Sequence, residues 1–167
     1  ILTSVADELN ADLVPIFASM SDPTDPKGLA SKHASGKYAE FIAFGFLLKL
    51  INAQKLTIAF LDDFGQSSSA VQAAFMQLLG AHVDGNGQKL SEHVVFVAAT
   101  NDRTHKAGVT GLLDPVKSRF DSIIHLDIDA DDWIRDYALP NKLPMEVIGF
   151  TKFREELFYS YKPSNDM

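Results

Sequence analysis

The sequence predicts an α/β fold in which helices cover both faces of a parallel sheet. Three nearly uninterrupted apolar runs carry this prediction, at residues 56–61, 94–99 and 122–126. Strands that are buried on both faces have continuous apolar runs, whereas strands with one solvated face alternate. Segments with a helical spacing of apolar residues stand between and after these runs, which is the order typical of a doubly wound sheet.

The first third of the chain alternates between apolar segments and polar loops. Residues 1–9 have a helical spacing of apolar side chains, and residues 13–17 predict a short buried strand. Two polar loops follow at 21–28 and 31–37, the first rich in Pro, Asp and Gly. Residues 39–53 return to helical spacing and predict a helix. The core face of that helix is predicted to consist of Phe41, Phe44, Leu47, Leu48 and Ile51.

The middle of the chain predicts a helix, a hairpin and a short second helix between the three strands. Gln66 to Ser69 offer capping side chains for a helix from about residue 70 to 79. The turn Asp84–Gly87 predicts a surface hairpin over residues 82–93. A short helix is predicted around 112–119, immediately before the third strand.

An acidic stretch separates the sheet-forming part from a helical part. Two helical patterns follow it, at residues 131–138 and 145–161, with prolines between them. We therefore place a domain boundary near residue 130, with an α/β core over 1–129 and a helical region over 130–167.

Composition excludes several classes of function. The 167 residues include 15 Lys and Arg against 22 Asp and Glu, a formal charge of −7, which argues against a general coat for nucleic acid. The absence of cysteine removes disulfides, thiol nucleophiles and Cys-ligated metals, and is typical of a reducing compartment such as the cytoplasm. We find neither a basic leader pattern nor an apolar run long enough to span a membrane.

Polar side chains at the ends of the predicted strands are the candidate catalytic residues. Asp62 and Asp63 end the first long apolar run, and Asn101 follows the second. In nucleotide hydrolases such an acidic pair holds Mg²⁺ and activates the attacking water. A strand end exposed to solvent explains two acids about equally well, and Asn101 is also an ordinary strand-to-loop residue. Arg119 ends a predicted helix, where it could stabilise phosphate charge or cap the helix.

Other kinds of site fit the sequence less well. A phosphoacceptor receiver domain also carries an acidic pair at a strand end, but it needs a further Asp and a Lys that the later strand ends lack. No serine stands in a G-x-S-x-G elbow. The histidines show no metal-ligand spacing such as H-E-x-x-H. They are His33, His82, His93, His105 and His125.

Three motifs in a fixed order resemble the AAA+ ATPases, specifically the MoxR-like group. They are Phe60–Gln66, Val97–Asn101 and the segment from Ala107 to Phe120. Two further stretches are similar to the loop after that group's second strand and to its helical lid, respectively Asp22–Leu29 and Phe150–Leu157. The resemblance implies a three-layer P-loop NTPase sheet followed by the start of a C-terminal helical lid.

The resemblance also implies a set of residue roles. Asp62 stands at the Walker B position that binds Mg²⁺ and ATP, Asp63 at the catalytic acid, and Asn101 at sensor 1, where it also contacts the nucleotide. Arg119 stands at the arginine finger, which acts on a neighbouring subunit and so implies a ring oligomer, expected to be a hexamer. The family more often has Glu where Asp63 stands, which puts the hydrolysis rate in question. A protein client is expected rather than nucleic acid or a membrane.

One family motif is absent from these residues. No glycine begins a G-x-x-x-x-G-K-[ST] phosphate-binding loop, and the first strand and sensor 2 of the family have no counterpart. We therefore expect the interior of a larger ATPase module, and poor ATP binding and activity in isolation. The alternative is a degenerate, non-catalytic AAA+-like module for assembly or protein interaction. The hairpin at 82–93 matches, by position alone, an insertion that touches substrate or DNA.

Overall fold

The computed structural model describes residues 2–101, 111–127 and 129–158. Contacts divide the chain into two units, Ile1–Asp121 and Ser122–Met167, which are described separately. The domain boundary near residue 130, between the α/β core and the helical region, stays a prediction.

The described strands are β1 (Asp12–Phe17), β2 (Leu29–Lys32), β3 (Ala39–Ile42), β4 (Thr57–Asp62) and β5 (Val94–Ala98). The described helices are α1 (Leu2–Glu8), α2 (Phe46–Ile51), α3 (Ser69–Ala81), α4 (Asp114–Lys117), α5 (Ala130–Trp133), α6 (Met145–Phe153) and α7 (Glu155–Phe158). Two 3₁₀ turns follow β1 and β4, at Ala18–Met20 and Phe64–Gln66.

A parallel sheet in the order β1-β4-β5 lies at the centre of the first unit. Leu61 of β4 aligns with Ile16 on one side and with Ala98 on the other, so the carboxyl ends of all three strands meet at one edge. The central strand β4 is buried over most of its length, as its continuous apolar run predicts. A mixed α/β architecture with parallel strands is therefore confirmed.

Helix α3 supplies several of the large buried side chains of the first unit, among them Phe75 and Leu78. Ser68 caps it, because its side chain accepts a hydrogen bond from the Val71 amide at 3.3 Å. Phe75 is fully buried and packs edge-to-face on Phe64, with ring centroids 5.6 Å apart. The predicted helix at 70–79 and its capping region are confirmed, and the packing fixes the start of α3 close to the end of β4.

The predicted helix over residues 39–53 is wrong in its first half. Ala39 to Ile42 form β3, which pairs antiparallel with β2 through the aligned residues Lys32 and Ala39. Gly45 then adopts a φ of +57°, which separates the strand from the short helix α2. Of the predicted core face, Leu47 is fully buried whereas Leu48 is 46% exposed. The polar loop expected at 31–37 is in turn partly strand.

The hairpin predicted at 82–93 is present as a bridge between Val83 and Lys89 around a tight turn. Asp84 is buried within that turn, where its Oδ1 accepts hydrogen bonds from the amides of Asn86 and Gln88, both at 2.8 Å. The turn is therefore held by a side chain that mimics a backbone acceptor.

The prediction of a third strand at 122–126 is wrong. These residues form no strand pairing with any other described residue, and Ile124 and Leu126 are 81% and 85% exposed. A strand exists only where its amides and carbonyls meet a neighbouring strand, whatever its apolar content. Composition alone therefore misjudged this segment.

The second unit is helical. Asp129 caps α5 by accepting a hydrogen bond from the Asp132 amide at 2.9 Å, and a π-helical turn over Ile134–Ala138 continues the helix. Helices α6 and α7 confirm the predicted helical pattern as far as residue 158, while 159–161 lie outside the described residues. Within the part of the chain that is described, no helix has the length and apolar character needed to cross a bilayer.

Candidate functional site

The acidic pair lies where β4 leaves the sheet. Asp62 is the last residue of β4, and Asp63 adopts a left-handed conformation with φ +51° and ψ 36°. Asp and Asn tolerate this region better than most residues because their short polar side chains bond locally. The Asp63 amide donates to Asp62 Oδ1 at 3.1 Å, which turns the chain sharply away from the strand. Both side chains are half-buried at the edge of the sheet.

Gln66 holds the carboxylate of Asp63. Its side-chain Nε2 donates a hydrogen bond to Asp63 Oδ1 at 3.3 Å, and its backbone N–H donates one to the Asp63 carbonyl at 2.9 Å. The sequence suggested Gln66 only as a helix-capping residue. A glutamine three positions after an acid, within a single turn, is the signal that could have indicated this contact.

The end of β5 lies directly beside the acidic pair. The Ala99 amide donates to the Leu61 carbonyl at 2.9 Å, and the Phe64 amide donates to the Ala99 carbonyl at 3.0 Å. Asn101, two residues further along, is exposed at the same edge of the sheet. The two strand ends are therefore neighbours. Residues 102–110, which include part of the third family-like motif, lie outside the described residues.

Arg119 is not brought together with the acidic pair. Its Nη1 donates a hydrogen bond to Ser118 Oγ at 3.2 Å. The Cδ and Nε atoms of its side chain lie over α3 at Gly80. Gly80 stands eleven residues after Ser69, which is about 16 Å along a helix. Since α3 begins near the acidic pair and runs away from it, Arg119 lies toward the opposite end of the helix. No described carboxylate forms an ion pair with its guanidinium.

A shallow groove lies beside Arg119. It has a volume of about 480 Å³ and is lined by Met76, Gln77, Gly80, Ala81 and Arg119. This groove is separate from the edge that carries Asp62 and Asp63. The guanidinium thus faces an open surface.

Gln72 is a buried polar residue that the sequence did not single out. Its Nε2 donates to the carbonyls of Ser67 and Gly111, at 3.2 and 3.0 Å, while its Oε1 accepts from the Leu113 amide at 2.9 Å. A glutamine inside the apolar stretch of α3 was the available signal, because a buried carboxamide must find partners.

The described residues contain no group of three or more metal-ligating side chains. Mg²⁺ does not need such a cage, because it is commonly bound through one or two carboxylates together with water and substrate phosphates. Asp62 and Asp63, adjacent and half-buried, fit that donor set. Among the described groups, Asp62 Oδ1 receives a hydrogen bond and Oδ2 receives none.

The chain was compared with family models, curated proteins and solved structures. No family model matches the sequence, and neither does any curated protein. A solved structure of a candidate ATPase from Cytophaga hutchinsonii is similar over 75% of this chain, with a TM-score of 0.47 and 17% sequence identity. The chain spans 36% of the length of that structure.

Proposed function

We propose that this chain is part of an AAA+ ATPase module of the MoxR-like group, which couples binding and hydrolysis of Mg²⁺-ATP to the remodelling or maturation of a protein partner. One observation carries the proposal. An acidic pair leaves the central buried strand of a parallel sheet, and the next strand places Asn101 at the same edge. Ligands of open parallel sheets bind at the carboxyl ends of the strands.

Each residue at this edge has a proposed role. Asp62 holds Mg²⁺, which neutralises charge on the phosphates of ATP when both are bound. Asp63, held by Gln66, orients the attacking water and accepts its proton. Asn101 contacts that water and the terminal phosphate. The phosphate-binding loop and the first strand of the sheet come from elsewhere in the complete protein, and residues 130–167 begin its helical lid.

Arg119 acts on the nucleotide of a neighbouring copy in a ring, proposed to be a hexamer. Its position toward the far end of α3 supports this role, because a guanidinium there is too distant for the acidic pair of its own chain. An arginine that reaches a transferring phosphate stabilises the charge of the transition state. The net charge of −7 favours a protein client over nucleic acid.

Asp63→Asn in the complete protein tests the proposal. We expect kcat for ATP hydrolysis to fall at least a hundredfold, because the amide cannot accept a proton from water, while Mg²⁺-ATP still binds. Steady-state hydrolysis and calorimetric binding measure the two effects. Asp12→Asn makes the same change at the amino end of β1 and should leave turnover intact. Unchanged turnover in Asp63→Asn would refute the assignment.

A second candidate is a non-catalytic AAA+-like module for assembly or protein interaction. The lack of a G-x-x-x-x-G-K-[ST] motif within these 167 residues favours it. Calorimetry with Mg²⁺-ATP separates the candidates. Binding by the complete protein but not by the 167-residue chain supports the ATPase module, whereas no binding by either supports the non-catalytic one.

A further inference from the structure

Gln72 joins two parts of the chain that are distant in sequence. Its side chain is fully buried, and it bonds the Ser67 carbonyl on one side and Gly111 and Leu113 on the other. Both donors and the acceptor of the carboxamide are used. The Gly111 amide adds a fourth bond across the same junction, by donating to the Gly65 carbonyl at 3.0 Å.

The junction fixes one segment that follows the acidic pair and another that leads to Arg119. Ser67 and Gly65 belong to the turn that begins at Asp63. Leu113 is the residue before α4, whose last residue, Lys117, stands two positions before Arg119. One side chain thus holds the turn after the acidic pair against the segment that carries the arginine.

Helix α4 depends on such an external anchor. It has only four residues, and helices this short do not form without tertiary contacts. Val116 is fully buried, and the partly buried Leu113 and Phe120 pack on the same core on either side of α4. The bond from the Leu113 amide to Gln72 Oε1 adds a directional constraint at the start of α4.

We infer that Gln72 is a positioning residue of the ATPase, which sets the place of Arg119 relative to the acidic pair through the Gly111–Leu113 segment. This inference rests on the proposed function only for its effect on turnover. Without its partner, each buried carbonyl or amide of the junction would be left unpaired, and such groups move to find water or other partners.

Hydrogen exchange in the 167-residue chain tests the junction without any measurement of catalysis. In Gln72→Met the volume is kept and the three bonds are lost, so we expect the Leu113 amide to exchange at least tenfold faster while β4 and β5 stay protected. Gln54→Met, at an exposed position, is the control. If the sheet also loses protection, Gln72→Asn replaces the first variant, because it keeps a polar group too short to reach Leu113. Unchanged exchange at Leu113 in the folded variant would overturn the inference.

Turnover of the complete protein tests the positioning role. Gln72→Asn should lower kcat about tenfold with little change in KM for ATP, because transition-state contacts are lost and substrate binding is kept. In an Arg119→Lys background the same change should cost less than twofold, since the group it positions is already altered. An equal loss in both backgrounds, or an unchanged kcat in Gln72→Asn, would overturn the role. Full turnover in Asp63→Asn would instead refute the proposed ATPase and leave the exchange result standing.

Discussion

The missing side chain of Gly80 leaves room for the stem of Arg119. A Cβ at position 80 would lie 2.7 Å from Arg119 Nε and 2.8 Å from its Cδ, so the arginine would have to move. Alanine otherwise favours a helix over glycine by about 1 kcal/mol. We therefore expect Gly80→Ala to keep or raise the free energy of unfolding by up to about 1 kcal/mol, while turnover of the complete protein falls severalfold. Chemical denaturation and ATP hydrolysis measure the two effects.

Gly149 in α6 provides a matched control for this substitution. No heavy atom lies within 4 Å of a Cβ built there, so alanine meets no obstacle. Gly149→Ala should raise the stability of its unit by about 0.5–1 kcal/mol and leave turnover unchanged. Full turnover in Gly80→Ala would show that the path of the Arg119 stem over α3 is not needed for hydrolysis.

The side chain of Asn86, in the turn at 84–87, forms hydrogen bonds with the β2–β3 hairpin. Asn86 Oδ1 accepts a hydrogen bond from the Phe41 amide at 2.8 Å, and its Nδ2 donates to the Phe41 carbonyl. The carboxamide thus takes the place of a neighbouring strand at the edge of β3. We expect Asn86→Ala to speed hydrogen exchange of the Phe41 amide and to cost about 1–2 kcal/mol of stability.

Asn52→Ala is the control for that prediction. Asn52 also donates its side-chain amide to a backbone carbonyl, that of Leu48, at 2.8 Å, but the bond stays within one helix end. Its loss should leave the exchange of Phe41 unchanged. If Asn86→Ala likewise has no effect on Phe41, the hairpin is held by other contacts.

The central strands β4 and β5 could be predicted from the sequence, whereas the pairing of β2 with β3 could not. Burial on both faces leaves a continuous apolar run in β4 and β5, and the strand-end rule then places Asp62 beside the end of the next strand. The segment from Ala39 to Ile42 is too short for its apolar pattern to distinguish a strand from a helix. The strand that pairs with it, β2, lies several residues earlier in the chain. Residues 122–126 have a strand composition without a described partner.

The polar contacts of the site were beyond sequence reasoning for a related reason. Gln66 and Gln72 act through hydrogen bonds whose partners are set by the folded chain. Gly80 matters because Arg119, thirty-nine positions later, crosses it. The residues at strand ends can be identified from the sequence. The side chains that form hydrogen bonds with them or with the neighbouring backbone, such as those of Gln66 and Gln72, cannot.

The two units differ in the interactions that hold them together. The first contains a large buried apolar cluster centred on Leu61, Phe64 and Phe75. Among the described residues of the second, the buried apolar side chains are Ala138 and Ile148. Five of the seven ion pairs in the described residues belong to the second unit, and all of them are exposed. The second unit therefore has fewer buried apolar side chains and more surface ion pairs than the first, and we expect charge to contribute a larger share of its stability.

Acid should act first on those ion pairs. The hydrogen bond from Arg135 lowers the pKa of Asp136 from its ordinary 3.8, and the bond from Arg154 lowers the pKa of Glu156 from 4.5. A carboxylate with a depressed pKa in the folded state stabilises the fold above its unfolded pKa, and that stabilisation is lost as the pH falls through the folded pKa. The loss therefore begins near pH 4.5 and continues below 3.8.

Trp133 allows this loss to be measured in the whole molecule. It is the one tryptophan of the chain and belongs to the second unit, so its fluorescence reports that unit alone. On acidification we expect the fluorescence to change at a higher pH than the amides of β4 and β5 lose protection. Added salt should widen this gap in pH, because it screens and so weakens the ion pairs of the second unit. Arg135→Met should shift the fluorescence transition to higher pH, whereas Lys55→Met, at the ion pair with Asp12 in the first unit, should not. Coincident transitions at every salt concentration would show that the two units unfold together and that charge does not decide which is weaker.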